Sequence, residues 1–330
     1  GDSVRIWAGK PAYGKKPLVI GTNRLTTRLT QHFGTFEGKF VIQLFQSKTL
    51  LDERIAEIIP GTPRLVSFPD KTEPAATAPE NMVLIPAGKF TFHGTQGDDF
   101  IPYPKENEGN VLEMNSFWMD RFPVTNRQFD LFLKASGYQP DDTTRFLAHW
   151  KDGNIPKGEE EFTVVHVSWE DALAYAAWAG KRLPTEAEWQ YAAQTPAGNE
   201  WPWKQIKPVK RVQQVVTGTL TVSKLEGIEP SRCNTGDGKL YPVGKYPKGA
   251  NPYGLQDLVG CVWQLTNDLY INGSYSFIML KGGSYFKPSS SWWYVQGGPR
   301  ELHYRQMLLR VFPGFERNAT VGFRCVKDRF

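Results

Sequence analysis

The sequence is poor in cysteine and has no long apolar run. Its 330 residues include only Cys233, Cys261 and Cys325, and an odd count allows at most one disulfide with one thiol left over. No stretch of 18 apolar residues occurs, so no transmembrane segment is predicted. No run of lysine and arginine is long enough to suggest a nucleic-acid surface, and a formal net charge of +5 over this length is mild. These absences argue against both a membrane-spanning protein and a nucleic-acid partner.

The usual catalytic signatures are missing as well. The sequence has no G-x-S-x-G elbow, no phosphate-binding loop and no H-E-x-x-H pair. Its five histidines lack the spacing of a metal site: His32, His93, His149, His166 and His303. Because His166 stands between two valines on a predicted strand, we expect it to have a hydrogen-bonded role in the core.

Aromatic residues, glycine and proline are abundant instead. The chain has 11 Trp, 13 Tyr and 20 Phe, together with 31 Gly and 24 Pro. This mixture is typical of a loop-rich domain held together by buried rings. The most aromatic stretch is KGGSYFKPSSSWWYVQGG, residues 281–298, in which Trp292, Trp293 and Tyr294 are adjacent. Since neighbouring side chains on a strand alternate between its two faces, these three rings cannot all point inward.

Composition divides the chain into three parts. Residues 1–69 have short apolar runs separated by Gly, Pro and Asn, which predicts a small β-rich unit, either an antiparallel sheet or part of a sandwich. Residues 70–81 have the Pro, Ala and Thr content of an exposed linker. Residues 82–330 keep one texture to the end and form the main domain. The chain begins with Gly1 and not with methionine, so the sequence leaves open whether a leader has been removed.

Capping boxes mark three helix starts in the main domain. In a capping box, a hydroxyl residue and an acid or amide three positions later each accept a hydrogen bond from the other's main-chain N–H. The pairs are Thr125 with Gln128, Ser168 with Asp171, and Thr185 with Glu188. Gly137 and Gly180 mark the ends of the first two helices. Beyond Thr195 the pattern indicates short strands and long loops. Two or three helices against a small, irregular sheet predict an α+β fold.

Two glycine-containing loops carry the oxygen ligands that a hard cation prefers. Residues 233–244, CNTGDGKLYPVG, place Asn234 and Asp237 on a tight loop, and in LQDLVGCVWQL the residues Asp257 and Gln264 flank Gly260. Glycine lets a loop curl until several oxygens reach one point. On spacing alone, two Asx-type turns without an ion are the favoured interpretation.

Several segments resemble, in order, the formylglycine-generating enzyme (sulfatase-modifying factor) superfamily. They are MVLIPAGKFTFHG, MDRFPVTNRQFDLFL, HVSWEDALAYAAWAGKRLPTEAEWQYAA, YPVGKYPKGANPYGLQDLVGCVWQLTND, LKGGSYF and VGFRCV. The resemblance covers about residues 82–328. It implies an elaborated C-type-lectin-like α+β fold that is low in regular structure and is stabilised by bound calcium.

The resemblance also implies calcium ligands in both loops. Carried over position by position, the first set is Asn234, the Thr235 carbonyl, Asp237 and the Lys239 carbonyl. The second set is Asp257, the Gly260 and Val262 carbonyls and Gln264. In the family the second loop usually reads GNVWEW, whereas this chain reads GCVWQL. Gln264 therefore replaces a glutamate, and the second site loses one negative charge. The resemblance therefore implies one bound calcium ion, or two if the second loop also binds one.

This sequence departs further from the family at the residues that carry out the family's oxidase chemistry. Formylglycine-generating enzymes oxidise a substrate cysteine at a copper(I) ion held by two cysteines, which lie between the GGS[WY] strand and the terminal GFRC. No cysteine lies between Tyr285 and Arg324 here. Lys287 stands about where the first would be, and an ammonium group cannot bind copper(I). We therefore expect no copper and no formylglycine-generating activity.

The resemblance assigns structural roles to the cysteines that are present. Cys325 matches the family's closing cysteine, and Cys261 replaces an asparagine in a core turn, so both are expected to be buried, unreactive thiols. If one disulfide forms, the resemblance favours a bond between Cys233 and Cys325.

Two classes of function stay open. The first is a non-catalytic, calcium-stabilised module of a bacterial extracytoplasmic protein, with or without a lipoprotein leader. This module would recognise a peptide or glycan through an aromatic cleft, or join a surface protein assembly. Its expected contacts are Trp292, Trp293, Tyr294, Trp201, Trp203, Arg300, His303 and Arg305, because flat rings bind sugar faces and peptide stems. The alternative is a tailoring oxidase of the same superfamily with non-cysteine chemistry, whose polar candidates are Arg300, His303, Tyr304, Arg305 and Arg310. Arginines that brace loops explain the last set more simply.

Overall fold

The computed structural model describes residues 2–9, 16–21, 26–34, 38–58, 63–96, 103–104, 107–204, 208–216, 220–273, 275–286 and 297–330. Two compact units are present: Gly1–Arg64 with Ile271–Tyr275, and Leu65–Tyr270 with Ser276–Phe330. The domain bounds expected from the sequence, 1–69, a linker 70–81 and 82–330, are not tested by this division and remain a prediction.

The first unit is built on a four-stranded antiparallel sheet with the order β2-β1-β3-β4. Its elements are β1 (Ser3–Ala8), β2 (Leu18–Gly21), α1 (Leu29–Phe33), β3 (Gly38–Gln46) and β4 (Thr49–Ile58). The apolar side chains of Ile6, Phe40 and Val41 are buried, and the Trp7 indole donates a hydrogen bond to the Gln43 amide across the sheet. The small β-rich unit expected from the short apolar runs is confirmed, whereas no sequence pattern predicts the five-residue helix α1.

The other strands are short and belong to several small sheets. They are β5 (Arg64–Leu65), β6 (Met82–Ile85), β7 (Gly88–Thr91), β8 (Val111–Met114), β9 (Phe117–Asp120), β10 (Lys210–Val216), β11 (Leu220–Glu226), β12 (Trp263–Asn272), β13 (Tyr275–Lys281), β14 (Gly283–Ser284), β15 (Gly298–Pro299), β16 (Arg305–Arg310), β17 (Val321–Phe323) and β18 (Val326–Asp328). The central sheet has the order β16-β13-β12-β17, in which β12 and β17 are parallel. A second sheet has the order β18-β9-β6, and three hairpins complete the set: β7-β8, β10-β11 and β14-β15.

The helices of the second unit begin at the predicted residues. They are α2 (Asn126–Ser136), α3 (Trp169–Trp178) and α4 (Glu186–Gln194), and each has a complete capping box at its N-terminus. Helix α2 ends at Gly137, whose φ of 69° is the left-handed conformation that glycine adopts at little cost. Helix α3 ends at Trp178 with Ala179 as its C-cap, and Gly180 follows in the left-handed conformation with a φ of 63°.

Two aromatic cores include residues of these helices. One contains Trp189 and Tyr191 of α4, and the other packs Phe129 of α2 against Tyr175 of α3 and Phe323 of β17. With a few short helices and many short strands, the fold is α+β and low in regular structure, as expected.

The segment that resembled a linker is fixed to the second unit. Thr72 donates main-chain and hydroxyl hydrogen bonds to the Asp328 carboxylate, and the Ala75 carbonyl accepts one from the Trp118 indole. Within the described part of the chain, no helix has the length and apolar character needed to cross a bilayer.

Candidate functional site

The aromatic stretch that the sequence singled out falls largely outside the described residues. Residues 287–296, which include Lys287, Trp292, Trp293 and Tyr294, are not among them. The chain enters this stretch through β14 and leaves it through β15, and the two strands pair with each other at Gly283 and Pro299. The two predicted metal loops lie at this entrance. The Tyr285 amide donates to the Cys261 carbonyl, and the Gly238 amide donates to the Tyr285 carbonyl.

The loops are packed too tightly for an open cleft at this point. A space of about 10 Å³, lined by Asn234, Tyr246, Asp257, Cys261 and Tyr285 among others, lies between them, which is room for about one water molecule. Gly260 permits this packing. Its φ is 74°, and a Cβ at this position would stand 2.2 Å from the Asn234 carbonyl oxygen.

The first predicted metal loop is closed by its own hydrogen bonds. The Asn234 amide oxygen accepts from the main-chain N–H groups of Gly236 (2.9 Å) and Asp237 (3.1 Å). Its amide nitrogen donates to Asp237 Oδ1 (3.1 Å) and to the Lys239 carbonyl (2.8 Å). Two of the predicted ligand oxygens thus converge on one point, but an N–H₂ group occupies it. A calcium ion fits here only after the Asn234 amide has rotated to present its oxygen.

Asp237 has the charge that such a site needs. Partial burial tends to raise its pKa, but hydrogen bonds from the Lys239 main chain, the Tyr241 hydroxyl and the Asn234 amide outweigh burial and lower the pKa below the usual value. The carboxylate is therefore ionised at neutral pH. Thr235 enters the predicted set only through its main-chain carbonyl.

The residues of the second predicted set do not fit a calcium ion. Gln264 is fully buried, and its amide oxygen accepts from the Trp189 indole (2.8 Å) and from Arg324 Nε (2.7 Å). Its amide nitrogen donates to the Asp257 and Leu258 carbonyls. Both lone pairs of the oxygen are therefore used, and its neighbour is a cation.

Arg324 takes the place that an ion would need beside this set. The guanidinium is fully buried and donates to four main-chain carbonyls besides Gln264, which belong to Asp120, Arg121, Gln256 and Asp257. Burial lowers the Arg324 pKa to about 10, so the group stays charged at neutral pH. Burial raises the Asp257 pKa, opposed by the Gly244 N–H and the Arg324 charge. The carbonyls of Gly260 and Val262 alone make no cation site.

All three cysteines are free thiols, so the disulfide between Cys233 and Cys325 that the resemblance left open is absent. Cys233 packs in the core around Trp189, whereas Cys325 packs in the core around Phe129. Burial raises the pKa of Cys233 and of Cys261 to about 12, and it raises the pKa of Cys325 well above the usual value. The three sulfurs are therefore protonated at neutral pH. Cys325 is buried as expected, whereas Cys261 is only partly buried.

Two tryptophans predicted to contact a ligand are part of the core. Trp201 is fully buried and Trp203 is 6% exposed. Their rings stack with centroids 6.0 Å apart, and the Arg232 guanidinium lies over Trp203. These rings therefore do not line an open cleft, because their faces are already covered by protein.

The arginines of the candidate set are also buried. Arg300 is 5% exposed and lies over the Tyr304 ring at 4.5 Å. Arg305, 4% exposed, donates to the Pro104 carbonyl and lies 3.7 Å from Glu186 Oε2. His303 is half-buried, and burial, followed by the Lys281 charge, lowers its pKa. Arg310 pairs with Glu170 and Glu316. The bracing role that the sequence left as the simpler alternative describes these arginines well.

A cluster of buried charges was missed by sequence reasoning. Lys281, at the end of β13, is fully buried, with its ammonium 3.0 Å from Gln190 Oε1 and 3.4 Å from Glu186 Oε1. Asp268 of β12 accepts a hydrogen bond from the Glu186 main chain at the start of α4. The only signal in the sequence was a lysine that ends the apolar run FIMLK.

The pKa values of this cluster are shifted towards neutrality. Burial, and then the Glu186 charge, raises the Asp268 pKa to about 7. Burial lowers the Lys281 pKa to about 8, although Glu186 opposes this shift. A cavity of about 170 Å³ borders the cluster and is lined by Phe92, Glu186, Asp268, Tyr270 and Arg305 among others. Shifted acids and bases beside a cavity are typical of functional sites, although structural ion pairs produce them too.

Comparison with known proteins agrees with the motifs and the fold. The sulfatase-modifying factor enzyme 1-like domain matches residues 68–329. The formylglycine-generating enzyme of Thermomonospora curvata is 34% identical over 57% of this chain and 71% of its own length. The inactive C-alpha-formylglycine-generating enzyme 2 of Bos taurus is 32% identical over 62% of this chain and 76% of its own.

Two further similarities differ in how much of each protein they cover. The serine/threonine-protein kinase pkn1 of Chlamydia caviae is 30% identical over 74% of this chain, which spans only 38% of that kinase. Among solved structures, PvdO from Pseudomonas aeruginosa aligns with 75% of this chain and 94% of its own, at 22% identity and a TM-score of 0.48. By the domain match and the two formylglycine-generating enzyme relatives, the chain belongs to the sulfatase-modifying factor, or formylglycine-generating enzyme, family.

Proposed function

We propose that this chain is a non-catalytic binding or assembly module that uses the scaffold of a formylglycine-generating enzyme. The observation that carries the proposal is the lack of any cysteine between Tyr285 and Arg324. Copper(I) is a soft ion that two thiolates hold in the active family members. Cys233 and Cys325 are buried and Cys261 is partly buried. Burial raises the pKa of all three thiols, so they are protonated at neutral pH and do not fit that role.

A relative that is named as inactive supports this proposal. The Bos taurus protein at 32% identity is named as an inactive formylglycine-generating enzyme. The family scaffold therefore occurs without the oxidase activity. We propose a bacterial extracytoplasmic location for the module.

The ligand of the module is a peptide or a glycan, held by aromatic side chains. Trp292, Trp293 and Tyr294 remain its proposed contacts, since planar rings bind such ligands at little cost in conformational entropy. A glycan and peptide array tests this assignment by comparing the natural chain with a Trp292→Ala, Trp293→Ala variant. Equal binding by both proteins would move the ligand site elsewhere.

We propose that this module binds calcium at the Asn234–Asp237 loop. The ionised Asp237 and the converging oxygens support it, and the calcium would stabilise the loop. Melting with and without calcium, alongside an Asp237→Asn variant, tests the site. We expect calcium to raise the melting temperature of the natural chain alone; equal shifts in both proteins would place any calcium elsewhere.

The loss of oxidase activity is tested by direct assay. The protein is loaded with copper(I) and incubated with oxygen and a peptide that contains the cysteine substrate motif, with the Thermomonospora curvata enzyme as the positive control. Mass spectrometry should detect formylglycine in the control alone. Turnover above background by this chain would refute the proposal.

An oxidoreductase with non-cysteine chemistry, such as a tailoring oxidase, is the second candidate function. The buried Asp268–Lys281 cluster beside its cavity favours this candidate, because both groups exchange protons near neutral pH. Elemental analysis of the purified chain separates the two functions. Calcium alone favours the binding module, whereas stoichiometric iron or copper favours the oxidoreductase.

A further inference from the structure

Another pocket lies in the second unit, and none of its lining residues is among the candidate ligand and metal residues named above. It has a volume of about 350 Å³, and its walls come from the loop after α2, the start of α3 and the turn that follows β16. We call it the Phe312 pocket and define it by Tyr138, Asp141, Asp142, Glu170, Phe312 and Arg317.

The floor of the Phe312 pocket is joined by hydrogen bonds, and the one cation among its described lining residues, Arg317, is already neutralised. Arg317, 2% exposed, makes a bidentate pair with the fully buried Asp171 at 2.8 and 3.0 Å. The same guanidinium donates to the Asp142 and Thr144 carbonyls. The Tyr138 hydroxyl donates to Asp171 Oδ1 at 2.9 Å, the oxygen that also accepts from Arg317 Nη2. Arg317 is therefore committed to Asp171 and offers little positive charge to a ligand.

The remaining charges of the pocket are negative. The Asp171 charge is neutralised by Arg317. Asp141 is exposed and Asp142 half-buried at the rim, and Glu170 lines the wall. Glu170 Oε1 pairs with Arg310, but Arg310 also pairs with the buried Glu316. Glu170 Oε2 is buried and, among the described residues, has no hydrogen-bond partner. Hydrogen bonds from Thr144 lower the pKa of Asp142, so this carboxylate is ionised at neutral pH.

An apolar strip adjoins these acids. Val311, Phe312 and Phe315 are 67%, 45% and 44% exposed, and the two phenylalanine rings pack edge to face with centroids 5.4 Å apart. Adjacent exposed rings of this kind are typical of interaction surfaces. An acidic pocket bordered by an apolar strip is complementary to a ligand that carries positive charge next to an apolar group.

The chemistry of the pocket selects one kind of ligand. The acids would repel phosphate groups, and a neutral glycan would leave their charge unmatched. No group of three or more His, Cys, Asp or Glu side chains in the described ranges is placed to hold a metal ion. An organic cation with an apolar neighbour, as in a peptide that contains arginine or lysine, matches both the acids and the rings.

We propose that the Phe312 pocket binds a basic, partly apolar peptide segment. An arginine or lysine side chain enters between Tyr138 and Phe312 towards Asp141 and Asp142, and an apolar neighbour of that side chain covers Phe315. The inference rests on the proposed binding function and names the class of its ligand. It also gives the module a contact surface that is independent of Trp292, Trp293 and Tyr294.

The test is a binding titration of the full chain with a fluorescein-labelled peptide in which arginine and leucine alternate, followed by fluorescence anisotropy. We expect saturable binding that weakens with added salt, and no binding of the same peptide with glutamate in place of arginine. The net charge of the whole chain is +5, so the protein as a whole repels a basic peptide. Non-specific electrostatic attraction therefore cannot explain this binding.

Two variants locate the site. Asp141→Asn with Asp142→Asn should weaken binding about five- to tenfold, since two exposed charge pairs are lost. Phe312→Ala should weaken binding roughly fivefold through the lost ring contact. Asparagine at position 142 can still accept the Thr144 N–H, and Phe312 is exposed, so both variants should melt like the natural chain.

Matched controls make each outcome decisive. Asp52→Asn with Glu53→Gln removes an adjacent, exposed acid pair from β4, and Phe330→Ala removes a phenylalanine that is 83% exposed. Neither control should change the affinity. Peptide affinity that is unchanged in the Asp141, Asp142 variant, or the absence of any basic-peptide binding, would overturn the inference. The copper assay and the array are scored separately, so the proposed function can survive either result.

Discussion

Lys281 is a fully buried cation, and this makes it a sensitive position at the scale of single residues. Its ammonium lies between Glu186 and Gln190. Replacement by methionine, a side chain of similar length, would leave the Glu186 carboxylate buried with only the more distant Arg305 as a counter-charge. We expect Lys281→Met to lower the free energy of unfolding by about 3 kcal/mol, measured by urea denaturation at pH 7.

The double variant Lys281→Met, Glu186→Gln is the control for this prediction. Since it removes both charges, it should recover a large part of the lost stability. A single variant as stable as the natural chain would show that this pair does not contribute to folding.

His149 should make the protein sensitive to mild acid. Burial, and then the neighbouring His166, lowers its pKa to about 4, and the two rings stack 5.7 Å apart. Because the unfolded chain binds this proton with a pKa near 6.5, it holds more protons than the folded chain between pH 6.5 and 4. The contribution of His149 to stability is therefore complete above pH 6.5 and is lost as the pH falls towards 4.

Denaturation of the natural chain and of His149→Gln at pH 7, 6, 5 and 4 measures this effect. The stability of the natural chain should fall more steeply with decreasing pH than that of the variant. Parallel curves for the two proteins would contradict the assignment of the acid sensitivity to His149.

His166 also shows where residue-level reading of the sequence fails. We expected a hydrogen-bonded residue on a strand, but His166 lies outside every described strand with a φ of 56°, and its buried Nδ1 has no partner among the described residues. Its valine neighbours gave a strand pattern. The left-handed backbone instead allows contacts with distant segments, through main-chain hydrogen bonds to Asn318 and Leu147.

At the scale of elements, local signals were sufficient for the helices. Each capping box joins residues three positions apart, so the sequence alone predicted the starts of α2, α3 and α4. The parallel pairing of β12 with β17 joins distant segments, and no local pattern predicts it. The same limit explains Trp201 and Trp203, because their burial depends on side chains far away in the sequence.

The capping box of α2 gives a prediction at this scale. Thr125 is 4% exposed, and its hydroxyl accepts the Gln128 N–H. Thr125→Ala should lower the free energy of unfolding by about 1 kcal/mol. Lys134→Ala, which removes an exposed i,i+4 ion pair with Asp130 in the same helix, should cost only about 0.3 kcal/mol. Thermal or urea unfolding of both variants tests this order, which equal losses would contradict.

At the scale of the whole molecule, the two units differ in their apolar cores. In the described part of the first unit, Ile6, Phe40 and Val41 are the buried large apolar residues, whereas Leu50 and Ile55 of β4 are 46% and 58% exposed. The second unit has two large aromatic cores. Since local stability follows buried apolar contact, we expect the first unit to open more often.

Hydrogen exchange of the full chain measures this difference. Main-chain amides of β3 should exchange about tenfold faster or more than those of the Trp263–Leu265 part of β12, after correction for intrinsic rates. Equal protection of the two strands would mean that the chain opens as one cooperative body.

The pairing of β17 and β18 has a consequence for synthesis. β17 completes one edge of the central sheet and β18 adds to β9 in a second sheet. A nascent chain on the ribosome must therefore hold both sheets incomplete until residues 321–328 have emerged. A premature stop codon before Val321 would leave two unsatisfied strand edges, and its translation product should be a target for chaperones and proteases rather than a smaller folded protein.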